Sequence, residues 1–157
     1  MSLAVQILAA LDTLACEERE RAELGGRLMA EVQEAADELQ TALVPILGHV
    51  TVGTSVPRSA SVLGGHAVMD GEALVSGADV HLRVRGSTLI ALRWRPAGMV
   101  TINGCVQVPA SAGWAVTDAV FGRHPTALDA LRAGLDRPET ARQVAEVVGR
   151  LRGQVKS

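Results

Sequence analysis

Residues 3–44 read LAVQILAALDTLACEERERAELGGRLMAEVQEAADELQTALV, and this stretch decides the fold. Steps of alternately four and three residues from Ile7 pass through eleven positions, of which eight are apolar. The positions are Ile7, Leu11, Leu14, Glu18, Arg21, Gly25, Leu28, Val32, Ala35, Leu39 and Ala42. This spacing is the a/d repeat of a coiled coil with one polar interruption. It predicts a long helix that carries an apolar stripe, here called the stripe.

Two glycines, Gly25 and Gly26, lie in the middle of this segment. Each glycine costs about 1 kcal/mol in a helix interior, so they allow a hairpin as an alternative to one helix. The repeat continues in register across them, which favours a single helix of about 40 residues, roughly 60 Å long. Pro45 disfavours helical geometry at the preceding residue, so we expect the helix to end at Val44.

One small domain has too little surface to cover so long a stripe, so we expect part of it to bind a second copy of the chain. The interaction residues predicted on this basis are Ile7, Leu11, Leu14, Leu28, Val32 and Leu39. The chain then divides into a helical arm, residues 1–47, and a body, residues 48–157.

Charge is distributed unevenly between these two parts. The formal net charge is −2, but residues 1–50 carry nine acidic and three basic side chains, whereas residues 51–157 carry eight and twelve. An acidic arm and a basic body attract each other, within one chain or between chains. Aromatic residues make up only 2%, which disfavours a platform for stacked bases.

The location of the protein follows from segments that are missing. The first charged side chain is the acidic Asp12, so the start lacks the basic region of a signal peptide. No apolar run reaches the roughly 18 residues that a membrane span needs. Two cysteines do not make a disulfide scaffold. We therefore expect a cytoplasmic protein that does not bind membranes.

Turn signals at short spacing predict an antiparallel sheet over residues 49–109. Asp70-Gly71 favours a two-residue hairpin. Pro96-Ala97-Gly98 predicts a second hairpin that pairs Trp94 with Val100 and Leu92 with Ile102. Two points stay open: Gly86-Ser87 requires a bulge or a longer turn, and Asn103-Gly104 is itself a hairpin signal that would divide residues 99–109 into two strands.

Residues 111–153 predict two or three helices. A short helix is expected over residues 111–121 around Trp114, and a second over residues 125–133, with Gly134 just past its end. Asp136 to Glu139 resemble a capping box before the last helix, which Gly153 ends. The predicted fold class is α+β: a long coiled-coil-like N-terminal helix, an antiparallel meander of four to six strands, and these C-terminal helices.

Two groups of residues are candidates for binding nucleic acid or another anion. Basic side chains alternate with apolar ones on the predicted strands, which places five on one face: His81, Arg83, Arg85, Arg93 and Arg95. Guanidinium groups bind phosphate and carboxylate bidentately. The alternatives are the ordinary solvated face of an antiparallel sheet, or a surface for the acidic arm of a second subunit. The C-terminal helix pair resembles a helix-turn-helix in outline, although Asp129, Thr140 and Gln143 occupy its buried positions.

Signatures of enzymes are missing from the sequence. It has no G-x-S-x-G and no G-x-G-x-x-G, and its one lysine, Lys156, is next to last. The histidines have no partner at metal-ligand spacing, since His66 and Asp70 fall in a predicted strand and turn. Cys105 is best read as a half-buried structural thiol. We therefore expect no catalytic residues, no cofactor and no metal site.

The leading hypothesis is a non-enzymatic homo-oligomeric interaction protein, an adaptor or chaperone-like protein assembled through its N-terminal helix. The alternative is a nucleic-acid-binding protein that uses the arginine face or the C-terminal helix pair. An enzyme with an unrecognised site is the third reading. The predicted partners are a second copy of the chain and, beyond it, another protein or a nucleic acid.

Overall fold

The computed structural model describes residues 2–56, 79–117 and 122–155 of the chain. It contains one long N-terminal helix, six strands and two C-terminal helices, which confirms the predicted α+β class. The elements are α1 (Leu3–Leu47), β1 (Gly53–Ser55), β2 (Asp79–Val84), β3 (Ser87–Arg95), β4 (Gly98–Ile102), β5 (Val106–Ala110), β6 (Gly113–Val116), α2 (Ala127–Leu135) and α3 (Pro138–Val155). The predicted Asp70-Gly71 hairpin and His66 lie outside the described residues.

The strands form two separate antiparallel sheets. Among the described strands, four make one sheet in the order β1-β2-β3-β6, and β4 pairs with β5 alone. The β4–β5 pair, here called the ribbon, is therefore an insertion between the two neighbouring strands β3 and β6. The three helices pack on the apolar face of the four-stranded sheet and on one another.

Helix α1 is continuous for 45 residues, through Gly25-Gly26, so the single-helix prediction is confirmed. The hydroxyl of Ser2 caps it by accepting a hydrogen bond from the N–H of Val5 (3.3 Å). The predicted end at Val44 is wrong, because the helix continues through Pro45 to Leu47. Burial of Leu47 in the core stabilises this last turn.

The C-terminal half of α1 forms the core together with the sheet and the other two helices. Leu28 and Val32 of α1 are fully buried, as are Val80, Leu82 and Leu92 of the sheet. The remaining large members of this core are Leu39, Leu43, Leu47, Leu89, Ile90, Trp94, Trp114, Leu131 and Leu151. The alternation of buried and outward residues along β2 is the one that its sequence predicts.

The β2–β3 hairpin turns one residue earlier than the expected Gly86-Ser87, and it contains a bulge, one of the two irregularities that the sequence allowed. Its turn is Arg85-Gly86, both with positive φ (50° and 81°), and Val84 pairs with Ser87. A bulge then shifts the register between Leu82 and Arg83. The bulge keeps the apolar residues of both strands on the core face.

Two pairings predicted near the end of β3 are wrong. Trp94 pairs with Trp114 rather than with Val100, and Leu92 pairs with Val116 rather than with Ile102. The chain reverses instead at Asn103-Gly104, both with positive φ (52° and 75°), as their turn chemistry favours. Residues 113–116, predicted as part of a short helix, form β6, because pairing the two tryptophans buries both on the core face.

The two C-terminal helices differ from their predicted bounds. Helix α2 starts after Thr126, whose hydroxyl accepts a hydrogen bond from the N–H of Asp129 (3.1 Å). Gly134 lies inside α2, not past its end. A Cβ at this position would be 2.3 Å from Cγ2 of Val116. Helix α3 continues past Gly153 to Val155. The close contact of α2 with β6 thus requires glycine.

Candidate interaction surface

The N-terminal half of α1 extends away from the body. Every residue from 2 to 23 is exposed, and the first buried residue of the helix is Gly25. At 1.5 Å per residue, residues 3–23 span about 32 Å. The name arm is kept from here on for this exposed part, residues 3–23, of the predicted arm of residues 1–47. This half of the helix therefore contributes nothing to the core.

The arm exposes six large aliphatic side chains near its tip. Their exposed fractions range from 51% to 76%. They are Leu3, Val5, Ile7, Leu8, Leu11 and Leu14. At 100° per residue, all of them except Val5 fall within an arc of about 140°, which is wider than the seam between two coiled-coil helices. No charged side chain occurs between residues 2 and 11, so the tip is a continuous apolar surface.

The predicted interaction residues are divided between this surface and the core. Leu28, Val32 and Leu39 pack inside their own chain, where they are at most 6% exposed. Ile7, Leu11 and Leu14 are the members that remain exposed. The polar positions of the stripe, including Glu18 and Arg21, mark the change from one half to the other.

The ribbon is a second exposed apolar surface. Its register pairs Val100 with Val108 and Ile102 with Val106, which places four β-branched side chains on one face. None of its ten residues is buried, and Val106 is 59% exposed. Residues 96–112 carry no charged side chain. A two-stranded ribbon is marginally stable alone and gains stability when another layer packs on it.

Two contacts that the sequence did not predict hold the region where the ribbon joins the four-stranded sheet. Arg123 Nη1 donates hydrogen bonds to the carbonyl oxygens of Pro96 (3.1 Å) and Ser111 (2.8 Å), which join the two ends of the insertion. Trp114 Nε1 donates to Oε2 of Glu31 (2.9 Å). This bond joins β6 to the part of α1 that follows the C-terminal end of the arm. Both contacts join residues far apart in sequence, and no local pattern indicates either.

The tryptophan pair stabilises the same region. The rings of Trp94 and Trp114 are 5.7 Å apart between centroids and are tilted by 56°, a favourable geometry for aromatic pairs. Trp94 Nε1 is buried and has no hydrogen-bond partner among the described residues. The ribbon, the sheet edge and the first buried turns of α1 therefore meet at one place.

The predicted arginine face is dispersed in the structure. Arg93 is held by Asp79, with Nε–Oδ1 at 2.5 Å and Nη2–Oδ2 at 3.1 Å, and Arg83 donates to the carbonyl oxygen of Gly86. Arg85 lies in the β2–β3 turn, and Arg95 lies at the other end of β3. Eight residues of extended strand, about 26 Å, separate Ser87 beside that turn from Arg95.

His81, the fifth member of the predicted face, contacts Thr88 through Nδ1 and Oγ1 at 3.3 Å. The structure therefore brings Arg93 to a carboxylate and Arg83 to a backbone carbonyl. It does not gather the four guanidinium groups around one anion.

The outward face of α1 between Ala30 and Thr41 carries a wide, shallow acidic groove. Glu34, Asp37 and Glu38 line it, and Arg132 of α2 lies 3.7 Å from Glu38. The groove retains the negative charge that the sequence predicted for the N-terminal region.

The described residues do not assemble a metal centre. No group of three histidine, cysteine or carboxylate side chains within them is placed to hold an ion. Cys16 on the arm and Cys105 in the ribbon turn are both exposed free thiols, so the half-buried position expected for Cys105 is wrong. None of the helices described is both long and apolar enough to cross a lipid bilayer.

Comparison with protein-family models, with curated proteins and with solved structures finds no match for this chain. The arm and the ribbon are therefore interpreted from their own geometry and chemistry.

Proposed function

We propose that this protein is a non-enzymatic, homo-oligomeric interaction protein, an adaptor or chaperone-like protein of the cytoplasm, which assembles through its arm. The observation that carries the proposal is the exposed apolar tip, with six large aliphatic side chains at least half exposed. Contiguous apolar surface of this kind is typical of sites where proteins associate.

The energetic argument concerns both burial and helix stability. Fully burying an aliphatic side chain stabilises by about 1.5–3 kcal/mol, so covering these half-exposed side chains contributes about 1–2 kcal/mol each. An isolated helix the length of the arm is marginal in water. Association therefore stabilises the arm as a helix and removes its apolar surface from water at the same time.

An adaptor role follows from what assembly through the arm leaves free. Oligomers joined at the arm keep the outer face of each four-stranded sheet exposed, with Arg83 and Arg95 on it. The acidic groove on α1 offers a surface of opposite sign. Each copy therefore presents one positively charged and one negatively charged surface, and such charged surfaces favour the binding of a protein with complementary charge.

Sedimentation or light scattering at tens of micromolar tests the proposal. We expect an oligomer for the native chain and a monomer for Leu11→Glu, since a carboxylate on the apolar arc opposes burial. Gln6→Glu is the matched control, because it adds the same charge to the polar side of the same turns. A strict monomer with a helical arm would remove the basis for the proposal.

A further inference from the structure

We propose that two copies cross their arms antiparallel in a two-fold dimer. In this dimer, Glu18 of each copy lies opposite Arg21 of the partner subunit. Each arm tip lies against the aliphatic face of the partner subunit's ribbon. This inference rests on the proposed function, and it specifies the partner, the orientation and the second surface.

The orientation follows from the polar positions of the stripe. Glu18 and Arg21 are exposed and occupy successive stripe positions three residues apart. Parallel arms in register place Glu18 opposite Glu18 and Arg21 opposite Arg21, and like charges at an interface are unfavourable. Antiparallel arms centred between these two residues instead place Glu18 opposite Arg21 twice, once on each side of the two-fold axis.

This register determines which parts of the two chains lie at the same level. Since opposing residue numbers then sum to 39, Leu14 is level with Gly25 of the partner subunit, where the partner's own body begins to cover the stripe. Leu28 and Val32 lie opposite Leu11 and Ile7 of the other copy in this register, and they are fully buried in their own core. The tip beyond Leu14 therefore leaves the partner's stripe and runs along the outside of the partner's body. Leu8 is level with Glu31 of the partner subunit.

The C-terminal end of the ribbon joins β6 near that level. Glu31 accepts the hydrogen bond from Trp114 Nε1 (2.9 Å), and Gly113, the next residue, begins β6 where the ribbon ends. The tip and the ribbon are alike in chemistry, because residues 2–11 and 96–112 both lack charged side chains. A helix that packs its apolar side on the apolar face of a strand pair is a common layered arrangement.

The occupant is a second copy because the chain's own arm does not cover its own ribbon. In one chain, Leu8 is 61% exposed while Val106 is 59% exposed. The apolar arc of the tip is also wider than one helix seam, so it has surface for a second contact. A two-fold axis closes the assembly, with both surfaces covered in both copies.

Charge variants test the orientation. For antiparallel arms, Glu18→Arg and Arg21→Glu each replace two attractive pairs with repulsive ones, so each should raise the dissociation constant about tenfold or more, and the double variant should restore it. Parallel arms predict that neither single variant weakens association. That result, with the native chain still dimeric, would overturn this arrangement and leave the proposed function standing.

Cross-linking tests the occupant of the ribbon. In chains that carry Cys16→Ser and Cys105→Ser, one chain also carries Leu8→Cys and the other Val106→Cys, and a short bis-maleimide is added to the mixture. We expect a link between positions 8 and 106 of different chains. Links between two copies of position 8, or between two copies of position 106, would show parallel tips or ribbon-to-ribbon contact and overturn the proposal. A native chain that is monomeric would instead end the proposed function itself.

A surface variant completes the set. Val106→Glu on the aliphatic face of the ribbon should weaken dimerisation about tenfold or more, whereas Gln107→Glu on the opposite face should leave it unchanged. Circular dichroism of each variant verifies that the fold is retained. Equal dimerisation of both variants would contradict a role for the ribbon.

Discussion

The indole N–H of Trp114 donates to the carboxylate of Glu31 across 83 residues of sequence. Trp114 is fully buried and Glu31 is half-buried, so this hydrogen bond joins the sheet to α1 at the edge of the core.

Glu31→Ala should therefore destabilise the fold. The substitution leaves a buried indole N–H unsatisfied, which costs about 1–3 kcal/mol. Urea unfolding measures the change. Glu34→Ala, three residues along the same helix at an exposed position, is the control and should change the free energy of unfolding by less than about 0.5 kcal/mol. Equal effects of the two substitutions would contradict the role of the bond.

Gly134→Ala should destabilise the protein, although alanine is the better helix former. Its Cβ would lie 2.3 Å from Cγ2 of Val116, so α2 and β6 must separate, at a cost of about 1–3 kcal/mol. Gly149→Ala is the matched control in α3, where the added Cβ meets no neighbour within 4 Å. There the same change should stabilise by up to about 1 kcal/mol. Thermal unfolding of both variants compares the signs.

Arg85→Asn should stabilise the protein by about 0.5–1 kcal/mol. Arg85 has φ of 50°, a conformation that asparagine adopts at lower cost than arginine. Arg95→Asn removes the same charge from an ordinary position on β3 and serves as the control. Chemical unfolding of both variants separates the two causes. A backbone effect stabilises only Arg85→Asn, whereas a charge effect changes both variants alike.

Arg123→Gln should loosen the ribbon without unfolding the sheet. It removes a guanidinium that joins Pro96 to Ser111 at the two ends of the insertion. Hydrogen exchange should become faster in residues 98–110 and stay unchanged in β2. A uniform loss of protection over the whole chain would show that Arg123 supports the body as a unit.

The dispersal of the arginine face leads to a prediction about nucleic acid. Because Arg93 is paired with Asp79 and the other three arginines are spread along the hairpin, we expect no tight binding of duplex DNA at low salt. A titration at two salt concentrations measures this directly. Tight binding that falls steeply with salt would contradict it and support the nucleic-acid alternative.

Local patterns in the sequence were sufficient for the class of fold and for the long helix. The a/d repeat predicts one helix across Gly25-Gly26, and alternation along β2 predicts which side chains are buried. The faces of β2 and β3 predict that either a bulge or a longer turn must lie between them, and the structure has the bulge. Each of these rests on the chemistry of neighbouring residues, which a single sequence contains.

The pairing of distant segments could not be obtained in the same way. Pro96-Ala97-Gly98 and Asn103-Gly104 are both hairpin signals. Only the strand that pairs with β3 at Trp94 shows which of the two forms the hairpin. That partner, Trp114, lies beyond the whole ribbon. Likewise, the repeat continues evenly along α1, and only the packing of the body shows that Leu28 is buried while Leu11 is exposed.

The unbroken α1 gives the arm a rotational phase as well as a length. Every residue inserted between positions 14 and 25 turns the tip by 100° about the helix axis and advances it by 1.5 Å. Seven inserted residues restore nearly the same phase about 10 Å farther out, whereas two turn the apolar arc to nearly the opposite side. The number of residues inserted into the arm therefore sets how far the tip extends and which way its apolar arc faces, while the packing of the body stays the same.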